Sequence, residues 1–197
     1  MLYKYRGLTN FQFALDIFVN QRLFAASFES LNDPMEGHYV YEPGTLTRSQ
    51  IRSLYGRKKE LGIVALSKTP SNMLMWSYYA ESNSGMAVGV EIAKGSSETV
   101  PIEYVDELTL EQDHPNIAMR VLSKKLKPWS HEQEYRVFTR GSDYVGVKIK
   151  EIVFGLTVNS RTKELVTKVA TKFCPRVSIR TILADELERG IRPRVDA

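Results

Sequence analysis

The sequence is poor in the residues that build covalent and metal scaffolds. Of its 197 residues, one is cysteine and three are histidine. A lone cysteine, Cys174, excludes an intramolecular disulfide and any cysteine-clustered metal site. At the end of Val169-Ala170-Thr171-Lys172-Phe173-Cys174 it reads as a buried structural thiol rather than a nucleophile. The histidines, His38, His114 and His131, stand in separate segments and make a poor zinc pattern, so no metal is expected. Long apolar runs are also missing. Ile63 to Leu66 and Met86 to Val90 fall far short of the roughly 18 residues a membrane helix needs. Met1-Leu2-Tyr3-Lys4-Tyr5-Arg6 lacks the apolar centre of a signal peptide, which makes a cytoplasmic location without a membrane partner the default expectation. Neither repeats nor a low-complexity linker interrupts the chain.

What is present is ordinary for a globular protein: 43% hydrophobic and 25% charged residues. The length fits one domain over 1–197, with 186–197 as a charged C-terminal tail. The net charge of +4 is uneven. Basic residues collect in Arg57-Lys58-Lys59, in Lys124-Lys125-Leu126-Lys127 and between Arg189 and Arg194. These read as solvated faces that could also draw in a polyanion such as nucleic acid or a dinucleotide.

Periodicity and turn residues predict the elements. Tyr3 to Arg6 reads as an opening or edge strand, followed by a helix carrying Phe11, Leu15, Phe18 and Val19, then a strand over Arg22 to Phe28. Ser30 to Gly37 is a turn-rich loop in which Pro34 holds Asp33 extended. A basic helix is predicted over Thr47 to Leu61, with Ile51, Leu54 and Leu61 inward, and an interior strand over Ile63 to Ser67. Ser71 can cap an aromatic helix over Asn72 to Ser82. Met86 to Ile92 and Thr99 to Val105 read as partner strands joined by a turn over 94–97, and Leu110 to Leu126 as a helix. Glu134 to Arg140, Tyr144 to Ile149 and Glu151 to Leu156 read as a late strand meander, then come a helix to Phe173 and a last strand over Val177 to Leu183. Helices inserted early and strands gathered late predict an α+β fold with a mixed, mostly antiparallel sheet.

The densest chemistry lies in Trp129-Ser130-His131-Glu132-Gln133-Glu134-Tyr135-Arg136. On an extended chain Glu132 and Glu134 would share one face. This segment, with Tyr3-Lys4-Tyr5-Arg6, Asn32-Asp33-Pro34-Met35-Glu36, and Met75-Trp76-Ser77-Tyr78-Tyr79-Ala80 with Gly85, resembles the bacterial domain of unknown function 2971 family across most of the chain. The resemblance implies a phage-defence or toxin role. Family members often carry histidines where Tyr78 and Asn83 stand here, which speaks against a scheme built on those histidines.

A second resemblance concerns motif order. Proteins of the ADP-ribosyltransferase type use an arginine on an early strand, a serine-centred motif on a middle strand, and a Glu-x-Glu whose second carboxylate does the chemistry. Arg6, Ser67-Lys68-Thr69 and Glu132-Gln133-Glu134 follow that order. This similarity implies NAD as substrate, with transfer to a protein or nucleic-acid acceptor or to water. Glu134 would stabilise the positive charge that builds on the ribose, and Glu132 would activate the nucleophile. Arg6 would grip the diphosphate beside Tyr5 and Ser67, and Trp76 or Tyr79 would stack the nicotinamide. The other candidates are Asn32, Asp33, Glu36, Trp129 and Arg136.

Two further readings stay open. Asp33, Glu36, Glu132 and Glu134 could hold magnesium in a nuclease, although an acid-x-lysine strand signature is missing. Alternatively the chain is a non-catalytic binding or regulatory module that uses the aromatic helix as its recognition surface. That reading predicts a Glu134 that is buried and fully paired; buried carboxylates need such partners.

Overall fold

The computed structural model describes residues 1–93, 95, 97–111 and 114–191, without the side chains of 189–191. Lys94 and Ser96 of the expected turn, and 192–197 of the expected tail, lie outside the described residues. The fold class is α+β, and the strands pair mostly antiparallel. The chain packs as two compact units, Met1–Leu23 with Leu66–Ala93 and Gly146–Ala197, and Phe24–Ala65 with Lys94–Val145. Among the described residues no helix is long and apolar enough to cross a membrane.

The first unit is built on β1 (Leu2–Arg6), β4 (Met86–Ile92), β9 (Tyr144–Phe154) and β10 (Ser178–Thr181). Their order is β10-β9-β4-β1, with β10 parallel to β9 and the other pairs antiparallel. β1 is not an edge strand: β4 lies on one side, and Ser67, the last residue of β3 (Leu61–Ser67), pairs with Tyr3 on the other. Side chains alternate along β1, with Tyr3 and Tyr5 buried. They join Met75, Trp76, Ala87, Val153, Ile182 and Leu187 in one core cluster.

Helices α1 (Phe11–Asn20), α3 (Met73–Tyr79), α5 (Ser160–Phe173) and α6 (Ala184–Ile191) complete the unit. α1 turns Ala14, Ile17 and Phe18 inward, leaving Val19 exposed. Asn159 caps α5 by accepting the Thr162 amide at 2.9 Å. Cys174 is buried at its end, where burial pushes the thiol up, as a structural thiol should behave. α3 is capped by Asn72, one residue later than the sequence suggests, and is shorter. Glu81, Ser82 and Asn83 stop it by turning left-handed in succession, at φ 49°, 51° and 72°.

That left-handed run is held from several sides. The Glu81 carboxylate accepts the amides of Leu8 at 2.9 Å and Thr9 at 3.1 Å, and Asn83 O accepts the Thr157 amide at 3.1 Å. Such conformations cost on the order of 1–3 kcal/mol each and persist only where neighbours enforce them. Gly155 is where they do so: a Cβ there would stand 2.1 Å from Asn83 O. Gly155→Ala is therefore expected to cost at least about 2 kcal/mol, read from urea unfolding. A loss under about 0.5 kcal/mol would mean the turn can slide away.

The second unit contains most of β3, then β5 (Glu98–Pro101) and β8 (Glu134–Arg140) in the order β3-β8-β5, and a separate parallel pair, β6 (Glu103–Val105) with β7 (Lys124–Leu126). Helices α2 (Arg48–Lys59) and α4 (Ile117–Val121) pack with them. Phe28, Leu54, Leu61, Ile63, Ile117, Met119, Leu122 and Phe138 form its core. Thr47 and Gln50 close a capping box at the start of α2.

Four sequence expectations change in this unit and at its borders. The strand expected over Arg22 to Phe28 is short, β2 (Arg22–Phe24), followed by a 3-10 turn over Phe28–Ser30. The helix expected over 110–126 shrinks to α4 because Lys124–Leu126 joins β6 as a strand. β4 and β5 do not pair with each other; β4 takes β1 and β9, and β5 takes β8. The late meander is absent as well: β8 and β9 have different partners, and β9 runs unbroken from 144 to 154 through a bulge opposite Gly89 and Val90. Local alternation marks strands well, but pairing is settled by distant partners.

Candidate functional site

The Trp129–Arg136 segment reaches its site by an unexpected route. Lys127–Glu132 is a 3-10 helix, Gln133 turns left-handed at φ 45°, and Glu134 opens β8. Glu132 and Glu134 are thus not alternate residues of one strand. They still converge, because the left-handed residue folds both carboxylates onto one cation, Lys125 of β7. Its ammonium lies 2.5 Å from Glu132 Oε2 and 3.0 Å from Glu134 Oε2.

Arg136 is the centre of this arrangement and is 0% exposed. Its Nε donates to Glu134 Oε1 at 2.6 Å and one terminal nitrogen to Glu134 Oε2 at 3.3 Å. The two terminal nitrogens bind Glu36 side-on at 2.5 and 2.7 Å. Nη1 also donates to Leu122 O at 2.6 Å. These five bonds match the five N–H donors of a guanidinium. The turn over 32–36 that delivers Glu36 is fixed by Asp33, whose Oδ1 accepts the Met35 amide at 2.9 Å. Asn32 is on the exposed side of the same turn. Asp33 thus acts as a turn residue, while Glu36 is a partner of Arg136.

Burial penalises these charges, and mutual pairing overcomes the penalty. Burial alone pushes the Glu134 carboxyl up, but Arg136 and Lys125 outweigh it and hold it below the usual glutamate range. For Lys125, burial pulls down while Glu134 and Glu132 pull up, and the carboxylates win. The Arg136 guanidinium is likewise held above its ordinary value. Trp129 covers the site, its ring centre 4.9 Å from the Lys125 ammonium and stacked on His131. Tyr104 accepts the Glu134 amide at 2.8 Å, and burial raises its hydroxyl to about 12.

Lys125, Tyr104 and Lys58 escape a motif-based reading. Lys125 reads as part of a solvated basic run, yet it is buried. The carboxylates around Arg136 need more than one cation: Glu36, Glu132 and Glu134 are buried there, and Arg136 supplies one positive charge. Lys125 is a second, and Lys58 of α2 a third. Lys58 occupies an inward position after Ile51 and Leu54, where the sequence suggested Leu61. Its ammonium donates to Gly37 O at 2.7 Å among Phe28, Tyr39 and Tyr55. Burial pushes its pKa down against the pull of Glu36 and Glu29.

The residues proposed to hold NAD belong to the other unit. Ser67 is buried, and its Oγ accepts the Thr69 amide at 3.5 Å. Tyr5 is buried, with its hydroxyl donating to Thr69 O at 2.9 Å. Trp76 is 0% exposed, donates through Nε1 to Pro70 O at 2.7 Å, and meets Tyr5 edge-on at 5.2 Å. A ring without accessible surface has no face for a nicotinamide, so stacking on Trp76 is corrected to a core role. Tyr79 is half-buried against the same core. Arg6 lies over the Phe13 ring at 5.2 Å. Tyr5, Ser67 and Trp76 are buried as placed.

Nor do the acids gather as a magnesium site. Glu36 and Glu134 both face Arg136, and among the described residues no group of three or more His, Cys, Asp and Glu side chains could hold a metal ion. What the arrangement does chemically is lock charge: a carboxylate bonded on both oxygens to cations is a poor base and has little left for a ribose hydroxyl. Comparison of the chain with protein-family models, with curated proteins and with solved structures finds no match.

Proposed function

We propose that this chain is a non-catalytic binding or regulatory module. The observation that carries the reading is the closure of the Glu134 carboxylate by Arg136 and Lys125. The motifs that resemble the domain of unknown function 2971 family then mark the fold. Asn32 to Glu36 delivers a ligand to Arg136, Met75 and Trp76 fill a core, and Trp129 to Arg136 form the buried charge network. The recognition surface is the outward side of α3, where Met73, Leu74 and Tyr78 are exposed while Met75 and Trp76 face in. A surface of methionine, leucine and tyrosine suits an apolar protein partner, since such side chains adapt and bury large areas.

The competing reading, transfer from NAD, is separated by experiment. Wild-type protein incubated with NAD is expected to give no nicotinamide above buffer and no binding heat in calorimetry at millimolar NAD. Nicotinamide release by the wild type that Glu134→Gln abolishes would overturn the proposal. The calorimetric arm needs no acceptor, so a missing co-substrate cannot mask binding.

A further inference from the structure

We infer that the outward stripe of α2 is a phosphate-binding surface for nucleic acid, formed by Arg48 and Arg52 with Lys59 at its far end. This goes beyond the module reading and does not depend on whether Glu134 is catalytic.

The helix carries Arg48, Arg52, Arg57, Lys58 and Lys59 in twelve residues and no acid. At 100° per residue, Arg48, Arg52, Tyr55 and Lys59 fall on one narrow stripe, and Arg57 lies on the opposite flank. All five of these residues are exposed; the apolar positions Leu54 and Ile51 face inward with Lys58. The stripe is about 16 Å long, and its two guanidiniums are about 6 Å apart along the axis.

Spacing and the lack of acid partners together mark this stripe. Several arginines elsewhere are engaged by acids, Arg22 by Asp16, Arg120 by Glu103 and Glu111, Arg180 by Glu151 and Glu186, whereas Arg48 and Arg52 are two such groups without an acid partner on one helix face. Among the described residues, no carboxylate stands within ion-pair reach of Arg48, Arg52 or Arg57. The acid at the far end, Glu29, is held by the Tyr55 hydroxyl and lies 3.2 Å from Lys59, which mutes its repulsion of a phosphate. Two unpaired guanidiniums one helical turn apart suit phosphate oxygens, which arginine grips in bidentate fashion.

Nucleic acid is favoured over an anionic membrane by what the stripe lacks. A membrane-surface helix presents an apolar face to the acyl chains. Here the apolar face of α2 lies in the core, and the outward side offers Tyr55, whose hydroxyl is committed to Glu29.

The test uses full-length protein and a fluorescein-labelled DNA duplex of about 24 base pairs, with a single-stranded RNA of the same length as a second arm, read by anisotropy across a salt series. Binding is expected to weaken steeply with salt. The double variant Arg48→Gln/Arg52→Gln should lower the log–log salt slope by about 1.8 on duplex, or about 1.4 on single strands, and weaken binding at least about tenfold at low salt. Arg57→Gln, on the other flank, should change affinity less than about twofold. All three substitutions are at exposed positions, and unchanged circular dichroism and urea midpoints would verify folding. No binding to either probe, binding that ignores the double variant, or preferential binding to vesicles with roughly one-third phosphatidylserine would each overturn the inference.

Discussion

Arg136→Met is expected to destabilise the protein by about 3–5 kcal/mol, because it strands Glu36 and Glu134 as buried carboxylates without their cation. The loss should fall when the acids are neutralised with it. In a cycle with Glu134→Gln and Glu36→Gln, the combined loss is expected to be well below the sum of the single losses. Arg136→Lys should recover only part of the stability, since an ammonium has three donors where the guanidinium fills five bonds. Urea unfolding at pH 7 provides the measurement. A loss below about 1 kcal/mol would argue that the network is a loosely held site, open to exchange with a ligand. The pH dependence has a definite sign. Glu134 has a folded pKa below its unfolded one, so its contribution is present above the unfolded value of about 4.3 and is lost as pH falls through the folded value. Glu134→Gln should therefore flatten the acid limb of the stability curve while lowering stability at neutral pH.

Trp76→Ala carries the second large effect, about 3–5 kcal/mol, as expected for deleting a fully buried indole. Part of the loss is polar, since Pro70 O loses its donor. Tyr5→Phe isolates one comparable bond, the hydroxyl to Thr69 O, and should cost about 1 kcal/mol. If Trp76 were a ligand platform, Trp76→Ala would leave the urea midpoint nearly unchanged and abolish binding instead. Thermal or chemical unfolding of the two variants therefore distinguishes a core anchor from a stacking face.

The sequence by itself determined the α+β class, the buried Cys174 and the place where charge concentrates. These are local: they follow from period, turn chemistry and the solvation cost of single groups. Only the tertiary structure decided which strands pair, because alternation in β4 or β8 is compatible with many partners. It also decided the character of the Glu132–Arg136 cluster. The sequence put two acids and an arginine close together, which suits a catalytic pair and a buried network equally. Glu36 arrives from a distance of 100 residues and Lys125 from β7, a strand of the separate β6–β7 pair. Their arrival turns the cluster from a set of reactive groups into a neutralised one, since the field at each carboxylate is the sum of every charge folded against it.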